Sequence, residues 1–83
     1  MDENQVRGKI YNIVVNSDAL FGGNSIEYDN KLIEFGLDSI GVIDIIVSLE
    51  EEFGFEFDVN ELVLDNFSTI NNIIDLVINK LQN

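Results

Sequence analysis

Asp38-Ser39, at the head of the helical-looking, apolar-rich run Ile40 to Phe53, is the dipeptide in this chain best placed to do chemistry. Asp38 suits the N-cap of a helix, which leaves Ser39 at the first helical position with its hydroxyl free. A serine hydroxyl is a weak nucleophile until a neighbouring base takes its proton. The chain has no histidine, and its nearest lysine, Lys31, lies in an irregular stretch. Nothing nearby activates Ser39, and a self-contained serine hydrolase is set aside. What the position does favour is carrying an anion. A phosphate on Ser39 would meet free backbone N–H groups and the positive end of the helix dipole. The serine therefore reads as a place where another enzyme attaches something.

Composition narrows the partners. Four basic residues stand against sixteen acidic ones, a formal charge of −12. Such a chain is ill suited to nucleic acid, where affinity comes from neutralising phosphates, or to an anionic membrane surface. Partners with basic patches are expected, because opposite fields speed encounter. With no cysteine there is neither a disulfide framework nor a thiolate site. The opening residues MDENQVRGK begin with two acids and lack a long apolar stretch, so they do not read as a secretory signal. No apolar run approaches the roughly 20 residues of a membrane span. The expectation is a cytoplasmic monomer, one domain over residues 1–83, near the lower size limit for a single core.

The elements that must position Ser39 can be read from spacing. Val6, Ile10, Ile13 and Val14 recur at helical intervals over residues 2 to 16. From Asn16 to Leu37 no clean period appears, although Leu20, Phe21, Ile26, Tyr28, Leu32, Phe35 and Leu37 recur as apolar anchors of a long loop. A second helix is expected from Asp38 to about Phe53, ended by Gly54. Asp58 could cap a short helix over Val59 to about Leu64, and Ser68 a final one along Ile70, Ile73, Ile74, Val77 and Leu81. The expected fold is all-α: a small four-helix bundle with three main helices, a short third helix and a long first loop.

The second helix carries two apolar stripes. At about 100° per residue from Ser39, Val42, Ile45, Ile46, Leu49 and Phe53 fall between about 240° and 340°, an ordinary core face. Ile40, Ile43 and Val47 fall between about 40° and 100°, nearly opposite, with Asp44 and Glu51 on one edge and Glu50 on the other. Either the helix is buried all round, or the second stripe is an exposed apolar strip rimmed by carboxylates. The flanking acids favour the strip, which has the character of a partner-binding surface.

The run Asp29-Asn30-Lys31-Leu32-Ile33-Glu34-Phe35-Gly36-Leu37-Asp38-Ser39-Ile40 resembles the acyl carrier and peptidyl carrier protein family, whose pattern is an apolar-Gly pair, one residue, then Asp-Ser-(Leu or Ile). Leu49-Glu50-Glu51-Glu52-Phe53 is similar to the end of that family's second helix, and Phe67-Ser68-Thr69-Ile70 to the lead-in to its last. The resemblance covers essentially the whole chain. It implies a carrier without catalytic activity of its own. Ser39, preceded by Asp38, would receive a 4′-phosphopantetheine arm from coenzyme A through a magnesium-dependent phosphopantetheinyl transferase. The arm's thiol would then carry acyl or aminoacyl thioesters between loading and downstream biosynthetic enzymes. The missing cysteine is then no obstacle, because the sulfur arrives with the arm. The family's second helix is its recognition helix, so the resemblance places Ile40, Ile43, Asp44, Val47, Glu50 and Glu51 at the partner surface.

Two departures from the family stand out. Gly41 sits where a side chain is usual, at a cost of about 1 kcal/mol in helix propensity relative to Ala. Asp65-Asn66-Phe67-Ser68-Thr69-Ile70 resembles carriers of specialised pathways, nonribosomal peptide or polyketide, more than primary fatty-acid carriers. A primary fatty-acid carrier is the alternative within the family. From a different class, an acidic helix-docking module with Ser39 unmodified is the rival. Neither Asp18 to Asp29 nor Asp58 to Asp65 has the ligand spacing of a calcium loop, and no phosphate-cradling glycine loop is present. The Phe53, Phe55, Phe57 and Phe67 set is most simply core packing.

Overall fold

Asp2 begins the first helix by accepting the Gln5 N–H at 2.8 Å, and Asp38 begins the second by accepting the Gly41 N–H at 2.8 Å. In the computed structural model, which describes residues 2–82, these caps open α1 (Glu3–Val15) and α2 (Ser39–Phe53); α3 is Ile70–Gln82. Gly54, at φ 70°, closes α2 in the left-handed conformation that a side chain would strain. Among the described residues the remaining elements are four 3-10 turns, with no strand.

α1 packs against both α2 and α3. The core takes Val6, Ile10 and Val14 from α1, Val42, Ile45 and Leu49 from α2, and Ile70, Ile73, Ile74 and Val77 from α3. Each fully buried aliphatic side chain of this kind contributes about 1.5–3 kcal/mol. The long first loop is pinned by Ile26, Leu32 and Leu37, which are buried, with Leu20, Tyr28 and Phe35 partly buried; Phe21, expected as a further anchor, is exposed. It holds two 3-10 turns, Gly23–Ser25 and Leu32–Phe35. Backbone bonds from Leu32 N to Ser68 O and from Asn71 N to Tyr28 O, both 2.9 Å, tie it to the lead-in of α3. Gly36, at φ 100°, turns the chain so that Leu37 enters the core and Asp38 can cap α2.

Two local expectations need correction. The segment from Val59 is not one short α-helix but two 3-10 turns, Val59–Glu61 and Leu64–Phe67. Val59, Leu62, Val63 and Leu64 are all exposed, so no buried stripe offsets the cost of forming a helix there. The segment is held instead from its ends. Phe57 and Phe67 are buried and meet edge to face at 6.0 Å, and Glu61 accepts the Asp58 N–H at 2.7 Å. The cap of α3 is Thr69, whose hydroxyl accepts the Asn72 N–H at 3.1 Å. Ser68 donates its hydroxyl to Asp65 O at 3.0 Å and closes the preceding turn.

Gly41, an oddity in the sequence, has a packing reason. A Cβ there would stand 2.5 Å from Ala19 Cβ and 3.1 Å from Leu37 Cδ1. The glycine lets the first loop lie directly on α2. Gly41→Ala is therefore expected to destabilise the protein, because overpacking of about 1–3 kcal/mol outweighs the gain of about 1 kcal/mol in helix propensity. Adding Ala19→Gly should recover most of the loss. Thermal melts of the two variants check this; a single variant as stable as wild type would show that the loop does not bear on α2.

Lys80 of α3 donates to Glu61 at 2.7 Å and lies 3.6 Å from Asp58, stapling the Val59–Glu61 turn to the last helix. The hydrogen bond from Lys80 holds the Glu61 carboxyl below its usual value, and the same bond raises the Lys80 ammonium. A depressed carboxyl contributes stability above its unfolded pKa and loses it as pH falls through the folded value. Wild type should thus exceed Lys80→Met in stability most at neutral pH. The gap should close below the ordinary glutamate range, about pH 4.3. Urea unfolding of both proteins from pH 7 to pH 3 reads this directly, and a constant gap would contradict it.

Candidate functional site around Ser39

With Asp38 serving as the cap, Ser39 is exposed at the first residue of α2, and its hydroxyl has no hydrogen-bond partner among the described residues. It opens on a groove of about 570 Å³. One wall is the turn carrying Lys31 and Ile33, the other the turn carrying Leu64, Asp65, Phe67 and Ser68, and Leu37, Asp38 and Ser39 complete the lining. The Leu32 N to Ser68 O bond joins the two walls. Ile33 and Leu64 are exposed apolar residues facing this space. The volume lies within the range of small-molecule sites, about 300–1,000 Å³. The lining is mixed: Ile33, Leu37, Leu64 and Phe67 are apolar, Lys31 is basic, and Asp38 and Asp65 are acidic.

The second stripe of α2 is exposed. Ile40 is 79% accessible, Ile43 60% and Val47 45%, against 0% for Ile45 and Leu49 on the opposite face. Complete burial of the helix is excluded by these values. The strip begins at the residue after Ser39, so any partner seated on it is beside the hydroxyl. A second depression, lined by Asp18, Ala19, Asp38, Ile40, Gly41 and Asp44, borders the same end of the helix.

The acids flanking the strip are not equivalent. Glu51 is exposed. Asp44 is exposed and accepts the Ser17 hydroxyl at 3.2 Å. Glu50 is half-buried and accepts the Phe57 N–H at 2.9 Å, so one of its oxygens braces the turn after α2. Glu52, which sequence spacing did not single out, pairs with Lys9 of α1 at 2.9 Å. The groove residues Lys31, Ile33, Leu64 and Asp65 were also missed, since no local pattern joins two walls some thirty positions apart.

The sequence matches the family described as "Phosphopantetheine attachment site" over residues 21–77. It is 29% identical over 77 residues to mitochondrial acyl carrier protein 2 of Arabidopsis thaliana, covering 93% of this chain and 60% of that protein. It is 36% identical over 52 residues to nodulation protein F of Rhizobium leguminosarum bv. viciae, covering 63% of this chain and 54% of that protein. The chain thus spans little more than half the length of these relatives. Among solved structures, it superposes with a TM-score of 0.79 and 27% identity on a chain from the complex of an engineered Bradyrhizobium japonicum glycine:[carrier protein] ligase with carrier protein from Agrobacterium tumefaciens and ATP, covering 87% of this chain and 95% of that one. Holo acyl carrier protein from Nitrosomonas europaea superposes with a TM-score of 0.71 and 28% identity, covering 98% and 96% of the two chains.

Proposed function

The chain belongs to the phosphopantetheine-attachment family, and on that premise we propose that it is a carrier protein whose Ser39 receives 4′-phosphopantetheine. Covalently attached phosphopantetheine is the group that this family carries. The carrying observation is the Ser39 hydroxyl, without a partner among the described residues, at the start of α2 between the groove and the exposed Ile40–Ile43–Val47 strip.

In the attachment step Ser39 Oγ bonds to the phosphorus that bears the pantetheine in coenzyme A. The P–O bond to the adenosine half breaks, adenosine 3′,5′-bisphosphate leaves, and the hydroxyl proton passes to a base on the transferase. The chain's own contribution is presentation. The α2 N-terminus favours the negative charge that collects at the serine, and Ile40, Ile43 and Val47 offer desolvated contact to the enzyme. Asp44 and Glu51 draw basic patches toward that contact. The arm supplies the thiol, for thioester-linked acyl or aminoacyl intermediates, that a chain without cysteine lacks.

We assign the carrier to a specialised pathway rather than to bulk fatty-acid synthesis, supported by likeness to nodulation protein F and to the carrier chain of a glycine:[carrier protein] ligase complex. Incubation with coenzyme A, magnesium and a broad-specificity phosphopantetheinyl transferase is expected to add the mass of one arm. No gain with several transferases would favour the rival, an unmodified docking module.

A further inference from the structure

Four cations serve this acidic chain, and three are already engaged. Lys9 pairs with Glu52 at 2.9 Å, Lys80 with Glu61 at 2.7 Å, and the Arg7 guanidinium lies 5.0 Å over the Tyr28 ring. Lys31 is in no ion pair among the described residues. It is exposed, and it lines the same groove as Ser39.

Its backbone is held in place. Lys31 precedes the Leu32–Phe35 turn and accepts the Glu34 N–H at 3.0 Å, and the next residue, Leu32, is fully buried and bonded to Ser68 O at 2.9 Å. The ammonium therefore swings from a fixed root at the groove wall. The other charged residues lining the groove are Asp38 and Asp65, both carboxylates. A phosphodiester placed on Ser39 adds a third negative charge to that space, in a molecule already at −12. Among the described residues lining the groove, Lys31 is the one with a cationic side chain to add to the pull of the α2 N-terminus.

We infer that Lys31 pairs with the phosphodiester of the arm on Ser39 and draws the root of the arm into the groove between the Leu32–Phe35 and Leu64–Phe67 turns. Resting there, the arm leaves the Ile40–Ile43–Val47 strip clear for the next enzyme. Lys31 is a positioning residue in this role. The inference rests on Ser39 being the attachment point.

The test compares unmodified and arm-bearing protein by amine labelling. At pH 8 and low salt, both forms are treated briefly with acetic anhydride, and labelling of Lys31 relative to Lys9 is read by peptide mass spectrometry. Only the neutral amine reacts. A phosphodiester about 4 Å away in water favours the charged amine by about 1 kcal/mol, so relative labelling of Lys31 should fall about 5-fold in the arm-bearing form. In 1 M salt, where the screening length is about 3 Å, most of that protection should vanish. Lys31→Gln should shift the arm's ³¹P resonance, and Lys31→Arg should restore it toward wild type. Equal labelling of the two forms, or protection untouched by salt, overturns the pairing. Protein that gains no arm at Ser39 instead contradicts the carrier assignment, and the intact mass, read first, separates the two failures.

Discussion

Leu49→Asp is expected to leave no folded protein, whereas Val47→Asp, two residues earlier on the same helix, should leave the fold intact. Leu49 is fully buried in the core, and Val47 is 45% accessible. Removing the leucine forfeits about 1.5–3 kcal/mol of burial. Placing an unpaired carboxylate in that space adds several kcal/mol more. A domain of this size has only about 4–12 kcal/mol of stability in total, at 0.05–0.15 kcal/mol per residue. Val47→Asp changes a position on the solvent side of α2, where substitutions cost about 0.5 kcal/mol or less. Circular dichroism and a thermal melt separate the two outcomes. The functional effects should be reversed: Val47→Asp should slow arm transfer about tenfold, as expected when an apolar contact worth about 1.4 kcal/mol is lost at an interface. Equal unfolding of both variants would return the second stripe to the core and remove the docking surface.

Legibility in the sequence followed how local each cause was. Asp38, Ser39 and Gly54 set the bounds of α2 through bonds spanning a few residues, and those bounds were readable. The two faces of α2 follow from helical periodicity alone, so the exposure of Ile40, Ile43 and Val47 could be anticipated. The cap of α3 could not be separated by type, because Ser68 and Thr69 are adjacent and either can cap. The choice fell to Thr69 because Ser68 is engaged with Asp65 O, and its own carbonyl with Leu32 N. The Val59 to Leu64 segment has capping residues and apolar content but buries none of its side chains, a tertiary outcome that local propensity does not contain. Gly41 read as a helix defect until Ala19 was placed against it. The groove is the least legible feature, since its walls come from residues 31–33 and 64–68 and meet only when the loop is tied to the lead-in of α3.

The chain has five serines, and the account assigns the arm to one of them. Ser17 donates to Asp44 at 3.2 Å, Ser25 to Gly22 O at 2.6 Å, and Ser68 to Asp65 O at 3.0 Å, while Ser48 is half-buried inside α2. Ser39 alone among them is both exposed and without a hydrogen-bond partner among the described residues. Ser39→Ala should therefore abolish modification completely while keeping the fold, because Asp38 and not the hydroxyl caps the helix. The most direct measurement is peptide-level mass spectrometry of the transferase-treated wild-type protein. The account predicts a single phosphopantetheine, on the peptide containing Ser39 and localised to that residue. An arm on Ser17, Ser25, Ser48 or Ser68, or full modification of Ser39→Ala, would contradict it.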